Sequence, residues 1–538
     1  MVRTLDPNDL QGNILRPYGR QGFPKARYIF LHVAEAKAGR AFVEAVRPRV
    51  TTAMRWQSRS EYPGEVIVTR PQVTFNIAFN FYGLLALGLP TRTLAGMPPE
   101  FIDGMAARAT ILGDLHHNRS DCWDDIWRRS DGASKVHILV ALNAQMQPDG
   151  TAVPEFESAT QWVLDLCEAS GGKVTVLPGH GRDQALYQDC SAILTQAPDG
   201  GYVPTAKEHF GFTDGFGDPV FEGQFPAASA ARAAIGGGKI LPDQTWAPLA
   251  TGEFLLGYPD EAQEVSLGAM PLEFARNGTF MAYRKLHENV VAFRNYIAET
   301  AAVYGRVAGA DVAAAREILM AKMVGRWSDG VPLVAAPTYA DWQRFQTREA
   351  QAREANDKQA IAAIERAYVD FQYRSDPDGL KCPVTAHMRR SNTRDMLDPA
   401  LRSSDRKTWS GSVLNNRRRI LRRGLPYGTA PADAASDDGE HGIIFMAVCA
   451  SLFRQFEFVQ QQWLQYGLDF NVGNDTCPII GNHGPDAKFV IAGDPTTRTP
   501  PFICTRVPQL VEMRGGDYFF IPSMTALRMI GMGVVDPT

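Results

Sequence analysis

The stretch VTFNIAFNF, residues 73–81, alternates strictly, with Val73, Phe75, Ile77 and Phe79 on one face. Period-two alternation over such a run is the pattern of a strand packed on one side. Working outward, ARYIFLHVA (26–34) reads as a strand and AGRAFVEAVRPRV (38–50) as an amphipathic helix. Downstream come a second alternating strand, KVHILVAL (135–142), a helix around ATQWVLDLCEASGG (159–172) stopped by its glycines, and the strand KVTVL (173–177). The order is β-α-β-β-α-β.

A similar order runs through the second half. GTFMAYRKL (278–286) is strand-like, HENVVAFRNYIAETAAVYG (287–305) helical, and RRRIL (417–421) and GIIFMAVCA (442–450) strand-like. SLFRQFEFVQQQWLQYG (451–467) is helical and DYFFIPS (517–523) is a last strand. The expected fold class is therefore α+β, with two copies of one plan. A mostly helical insertion near 306–380 interrupts the second copy and packs on it. LTQAPDGGYVPTAKEHFG (194–211), rich in proline and glycine, is the linker candidate. The expected division is 1–200 and 201–538.

A chain of 538 residues is too long for one ordinary core, so about two to four domains are expected, with material to enclose a large ligand. Hydrophobic content of 45% and charged content of 21% are ordinary for a globular protein. No apolar run approaches the ~20 residues of a bilayer span, so no membrane association is expected. The first residues lack the apolar core of a secretory signal, so a cytoplasmic location is expected. Seven scattered cysteines without a CxxC pair indicate neither a disulfide framework nor a zinc site. The formal charge of -4 with mixed signs excludes a polycationic nucleic-acid footprint, although NNRRRILRRG (415–424) is locally basic and needs an anion or a solvated face.

Three features carry candidate chemistry. In FGFTDGFGDPVF (210–221), Asp214 stands between glycines and phenylalanines. It is either a turn residue bonded to its own backbone or an ion held where water is scarce. In KCPVTAHMRRSNTRD (381–395), His387 is followed by Arg389 and Arg390. An imidazole can hold a haem iron while guanidinium groups meet its propionates. RRRILRRGLPYG (417–428) sets arginines on both sides of an apolar pair.

These segments resemble the dye-decolourising haem peroxidases, closest to their long-chain members. GFTDG matches the family's GxxDG motif, CPVTAHMRRSNTRD its proximal-histidine segment, and RRILRRGLPYG its distal-arginine segment. Further matches are DLQGNILRPYG near the start, GEFLLGYPDE (252–261), MVGRWSDGVPL (323–333), GIIFMAVCASLFRQFEFVQQQW (442–463) and MRGGDYFFIPS (513–523). The resemblance implies two ferredoxin-like domains, with one haem b per chain held in the C-terminal one.

Carried over, it makes His387 the proximal iron ligand and sets Asp214 and Arg422 on the peroxide side. Arg389 would meet a haem propionate, and Ile443 and Phe445 would line the distal pocket. Asp475, in GNDTCPIIG, resembles the acid that accepts a hydrogen bond from the proximal histidine. Here Thr476 and Cys477 separate it from the proline that usually follows. Trp463 and Tyr427 match electron-relay positions, and both also read as packing residues.

The implied activity is reduction of hydrogen peroxide with oxidation of bulky dyes and phenolic or other aromatic compounds. The chemistry needs a base that takes a proton from one peroxide oxygen and returns it to the other. His209 is the only histidine near the motif and is not placed in the pocket, which leaves Asp214 as the shuttle. Phe212 and Phe216 would raise its pKa and Arg422 would lower it, with the net sign open. Arg422 would stabilise charge developing on the departing oxygen. The alternative is a haem carrier or iron-releasing protein with little peroxidase turnover. The sequence does not specify an oligomeric state.

Overall fold

The computed structural model describes residues 5–57, 68–129, 134–266, 268–494, 496 and 498–534. The first half contains β1 (Lys25–Val33), α1 (Ala36–Val46), β2 (Val73–Phe79), β3 (Ile138–Ala144), α2 (Glu155–Ala169) and β4 (Val174–Val176). Its strands lie in the order β2-β3-β1-β4, every neighbour antiparallel. The second half repeats the plan with β5 (Thr279–Glu288), α3 (Val290–Ala308), β6 (Leu421–Arg423), β7 (Gly442–Cys449) and β8 (Val511–Ile521). Their order, β6-β7-β5-β8, is the same permutation, again antiparallel.

The two half-sheets are continuous. β8 pairs with β2, where Phe520 stands opposite Phe79. One apolar core therefore mixes the halves, joining Ile29, Ile77 and Val140 to Phe280, Tyr518 and Leu527. α1 contributes Phe42, Val43 and Val46, and α2 contributes Phe156 and Val163, at the spacing that puts them on one helical stripe. Burying a side chain such as Phe79, which is fully enclosed, is worth about 1.5–3 kcal/mol. The segment expected as a linker holds a small hairpin, Leu194–Gln196 with Tyr202–Pro204, and residue 200 falls in its turn.

The insertion forms α4 (Val312–Val324), α5 (Tyr339–Glu354) and α6 (Lys358–Ala367). α5 starts at a capping box in which Thr338 and Asp341 satisfy each other's backbone N–H. Leu319, Trp342 and Phe345 pack with Trp463 and Ile479, so the insertion lies on the second half as expected. Two local expectations differ. Of RRRIL only Leu421 is strand, in an element that runs on to Arg423, because Arg417 is drawn to Asp260 and Glu264 and Arg418 to the carbonyl of Arg454. The helix after β7 is wound as two π-helical segments, Leu452–Glu457 and Val459–Leu464, a winding often found beside functional sites.

Candidate functional site

Alternate residues of the second half-sheet turn one face to a cleft of about 1860 Å³, counting its open mouth. Arg284, Leu286 and Glu288 come from β5, Ile443 and Phe445 from β7, and Val511 and Met513 from β8. The register aligns them, with Arg284 opposite Phe445, and Leu286 between Ile443 and Met513. The expected pair Ile443 and Phe445 thus lines the cleft, as strand alternation requires.

The GFTDG loop brings Asp214 to the same cleft, and β6 brings Arg422. Both readings of Asp214 apply at once. Its Oδ1 accepts the N–H of Gly215 at 2.8 Å, as in a turn, and its two oxygens meet both terminal nitrogens of Arg422. A third group was not legible in the sequence: Arg20, from the first half, donates to Asp214 Oδ2 at 2.9 Å. Gly215 has φ +113°, and a Cβ there would stand 2.9 Å from Arg20 Nε, so glycine is what admits the third group.

The side chains of Asp214 and Arg422 are 28% and 30% accessible, so the pair opens into the cleft. Burial pushes the Asp214 carboxyl up, but the charges of Arg422 and Arg20 outweigh it and hold it well below the usual carboxylate range. Burial pulls Arg422 down, and the charge and hydrogen bonds of Asp214 more than restore it. Arg20 is brought down to about 10 by burial and by the neighbouring Arg422.

His387 begins a short helix, α7 (His387–Ser391), and lines the cleft with Met388 and Ser391. Its Nδ1 lies 3.3 Å from Cys477 Sγ. Asp475, expected as the partner, is instead paired through its carboxylate with Lys488 at 2.9 Å, while its carbonyl accepts from Arg390. The intervening Thr476 and Cys477 carry the chain two residues on, and sulfur takes the place beside the imidazole. Burial pushes the Cys477 thiol up, while the charge and hydrogen bond of His387 and the charge of Arg390 bring it down on balance.

Arg389 does not reach the cleft. It is fully buried, donating to Asp376 Oδ2 at 3.0 Å, to the carbonyls of Asp376 and Cys382, and to Met396 Sδ. Residues i and i+2 of a helical turn do not share a face, so a helix that aims His387 at the cleft aims Arg389 away. Arg326 and Arg419 line the cleft and make no ion pair among the described residues; their guanidinium groups bond only carbonyl oxygens. Burial and the charge of Arg394 pull them to about 10 and about 9. Arg326 Nε has no partner.

Trp463 and Tyr427 are buried, at 1% and 3% accessibility, and neither presents a surface to a bulky reductant. Trp463 Nε1 donates to Asp469, and Tyr427 packs its ring beneath Lys285 with its hydroxyl unpartnered. Phe212 and Phe216 both line the cleft beside Asp214.

The residues fit haem. A lone imidazole with one nitrogen engaged faces an apolar-walled cleft, and two buried cations lack anions. Among the described residues no group of three or more His, Cys, Asp or Glu side chains could hold a bare metal ion. One protein ligand is the donor set of an iron held by a macrocycle.

Comparison with known proteins agrees. Residues 9–181 match a family model described as the DyP dimeric alpha+beta barrel domain. The chain is 27% identical to Peroxidase 2 of Mycetinis scorodonius over 97% of this chain and 87% of that one. It is 29% identical to a multifunctional dye peroxidase of an Amycolatopsis species over 70% of this chain and 74% of that one. A solved dye-decolorizing peroxidase in complex with 2,6-dimethoxyphenol superposes with a TM-score of 0.67 at 25% identity, covering 98% of this chain and 100% of the other.

Proposed function

The chain belongs to the dye-decolourising peroxidase family, and from that premise we propose that it reduces hydrogen peroxide and oxidises dyes and phenolic or other aromatic compounds at the cleft between Asp214 and His387. Haem b, one per chain, would supply a redox-active iron for peroxide and oxidising equivalents for the reductant. His387 would hold that iron, its ring oriented by Cys477. Arg326 and Arg419, in place of Arg389, are the cations that suit the propionates.

Asp214 is the proton carrier. Its depressed pKa keeps it ionised, and so free of a proton, across the ordinary pH range, while lowering its strength as a base. Arg422 through two nitrogens, Arg20 and the Gly215 N–H together fill the about four lone-pair sites of the carboxylate, so one of these donors gives way when peroxide binds. Arg422 then faces the developing negative charge. The observation that carries the proposal is the Asp214–Arg422 pair opening into the cleft that His387 lines. A carrier would need the imidazole but no such base.

Steady-state oxidation of a small phenol and of an anthraquinone dye, with haem-loaded protein and peroxide, tests the proposal. Turnover of both is expected; haem retention without turnover would favour the carrier reading. Trp463 and Tyr427 are proposed relays for the dye, on their family positions. Trp463→Phe is expected to slow dye oxidation while sparing the phenol, and equal rates on both would remove that role. The division into units 1–200 and 201–538 is retained as a proposal on the repeated strand order. Cytoplasmic residence is proposed too, supported by seven cysteines that are all free thiols, as in a reducing compartment.

A further inference from the structure

The loop that carries Asp214 is wrapped around a second carboxyl group. Glu208 accepts the N–H of Phe210 on Oε2 and of Phe212 on Oε1, each at 2.7 Å, and its own N–H donates to the carbonyl of Phe212. The chain from 208 to 212 is thereby closed two residues before Asp214, whose N–H is fixed on the carbonyl of Ala206 at 2.7 Å. The Glu208 carboxyl lies within hydrogen-bond reach of the Glu288 carboxyl of β5, and both line the same cleft as Asp214. Glu288 is 4% accessible and its Oε2 also accepts the N–H of His209 at 3.4 Å.

Two carboxyl groups can hydrogen-bond each other only if one carries a proton. The backbone donors on Glu208 favour its charged form, which leaves Glu288 as the protonated partner. Burial raises both carboxyls, and the charge of Glu208 raises Glu288 further.

We propose that Glu208 and Glu288 form a shared-proton acid pair that moors the Asp214 loop to the floor of the cleft, acting as positioning residues for the peroxide-side carboxylate. The charged and titratable groups around the pair are Lys207, His209 and Asp214 on the loop, His287 on β5, Tyr427, Asp437 and His441 before β7, and Glu512 and Arg514 on β8. Among the described residues none of them forms an ion pair with Glu208 or Glu288, and Asp214 disfavours a second charge on the pair. As pH rises through the pair's raised pKa the shared proton is lost to solvent, two charges face each other, and the mooring fails. Asp214 and Arg422 then lose their alignment.

The inference deepens the proposed function and rests on it only for the kinetic readout. Infrared spectra of the full-length protein, with and without haem, are expected to show the carbonyl band of a protonated carboxylic acid at neutral pH. Glu288→Gln should remove one component of that band, seen in the wild-type-minus-variant difference spectrum. A flat difference spectrum in that region would overturn the assignment whatever the enzyme does with peroxide. In stopped flow, the wild-type peroxide reaction should slow at alkaline pH by up to about 100-fold, the scale of an ångström-level misplacement. Glu288→Gln keeps a donor for Glu208 and an acceptor for His209 and should be flat with pH, while Glu288→Leu should be slow throughout. An alkaline limb retained in Glu288→Gln would contradict the mooring role.

Discussion

The two half-sheets share one strand order and differ in what covers the same face. In the first half, α1 and α2 cover it, and Ile29, Leu31, Phe75, Ile77 and Val140 are buried in one core with their apolar side chains. In the second half the face starts the same way, with Phe280 and Ala282 in that core, and then changes along one strand. From Arg284 onward β5 presents arginine, leucine and glutamate to a cleft. One copy of the plan stores stability and the other stores chemistry. The fold by itself therefore says little about activity, which lives in the side chains of a single face.

The sharpest break of this contrast is His387→Ala, which should abolish haem retention while leaving the sheet folded. Haem titration followed by gel filtration, with circular dichroism as the control, measures it. Next is Arg422→Leu. Loss of a preorganised charge costs a factor of about 100–1,000, and the rate of the first spectral change after mixing with peroxide should fall on that scale.

A smaller effect is expected of Arg20→Leu, because Arg422 remains. Removing one cation lets the Asp214 pKa climb toward its ordinary value, so the acid limb of the peroxide reaction should move to higher pH. The sign follows from the proposal that the ionised carboxylate is the active form, lost as pH falls through its pKa. An unmoved limb in the pH–rate profile would detach Arg20 from Asp214. The smallest change is Ile77→Val in the first half, expected to cost about 0.5–1.5 kcal/mol of stability. Denaturant unfolding should register it, and the peroxide rate constant should not.

Much of this was legible in the sequence. The alternation at Val73, Phe75, Ile77 and Phe79 located β2, and the family resemblance pointed to Ile443 and Phe445, which line the cleft. GFTDG and RRILRRG pointed to Asp214 and Arg422, which meet. What escaped depended on contacts remote along the chain or on helical phase. Arg20 lies 194 residues from Asp214, and nothing local marks it as a partner. The acid pair joins residues 208 and 288 through a loop closed by its own backbone. Arg389 was misplaced because adjacency in sequence was taken for adjacency in space, whereas a short helix turns it from the cleft. Asp475 was misplaced by two residues, and Cys477 occupies the position.

The most direct test of the central claim is the absorption spectrum of haem-loaded protein before and after peroxide, in the wild type and in the double variant Asp214→Asn, Arg422→Leu. Both proteins are expected to show the same Soret band, and only the wild type should change rapidly on adding peroxide. A double variant that responds at the wild-type rate would contradict the assignment of peroxide chemistry to this pair.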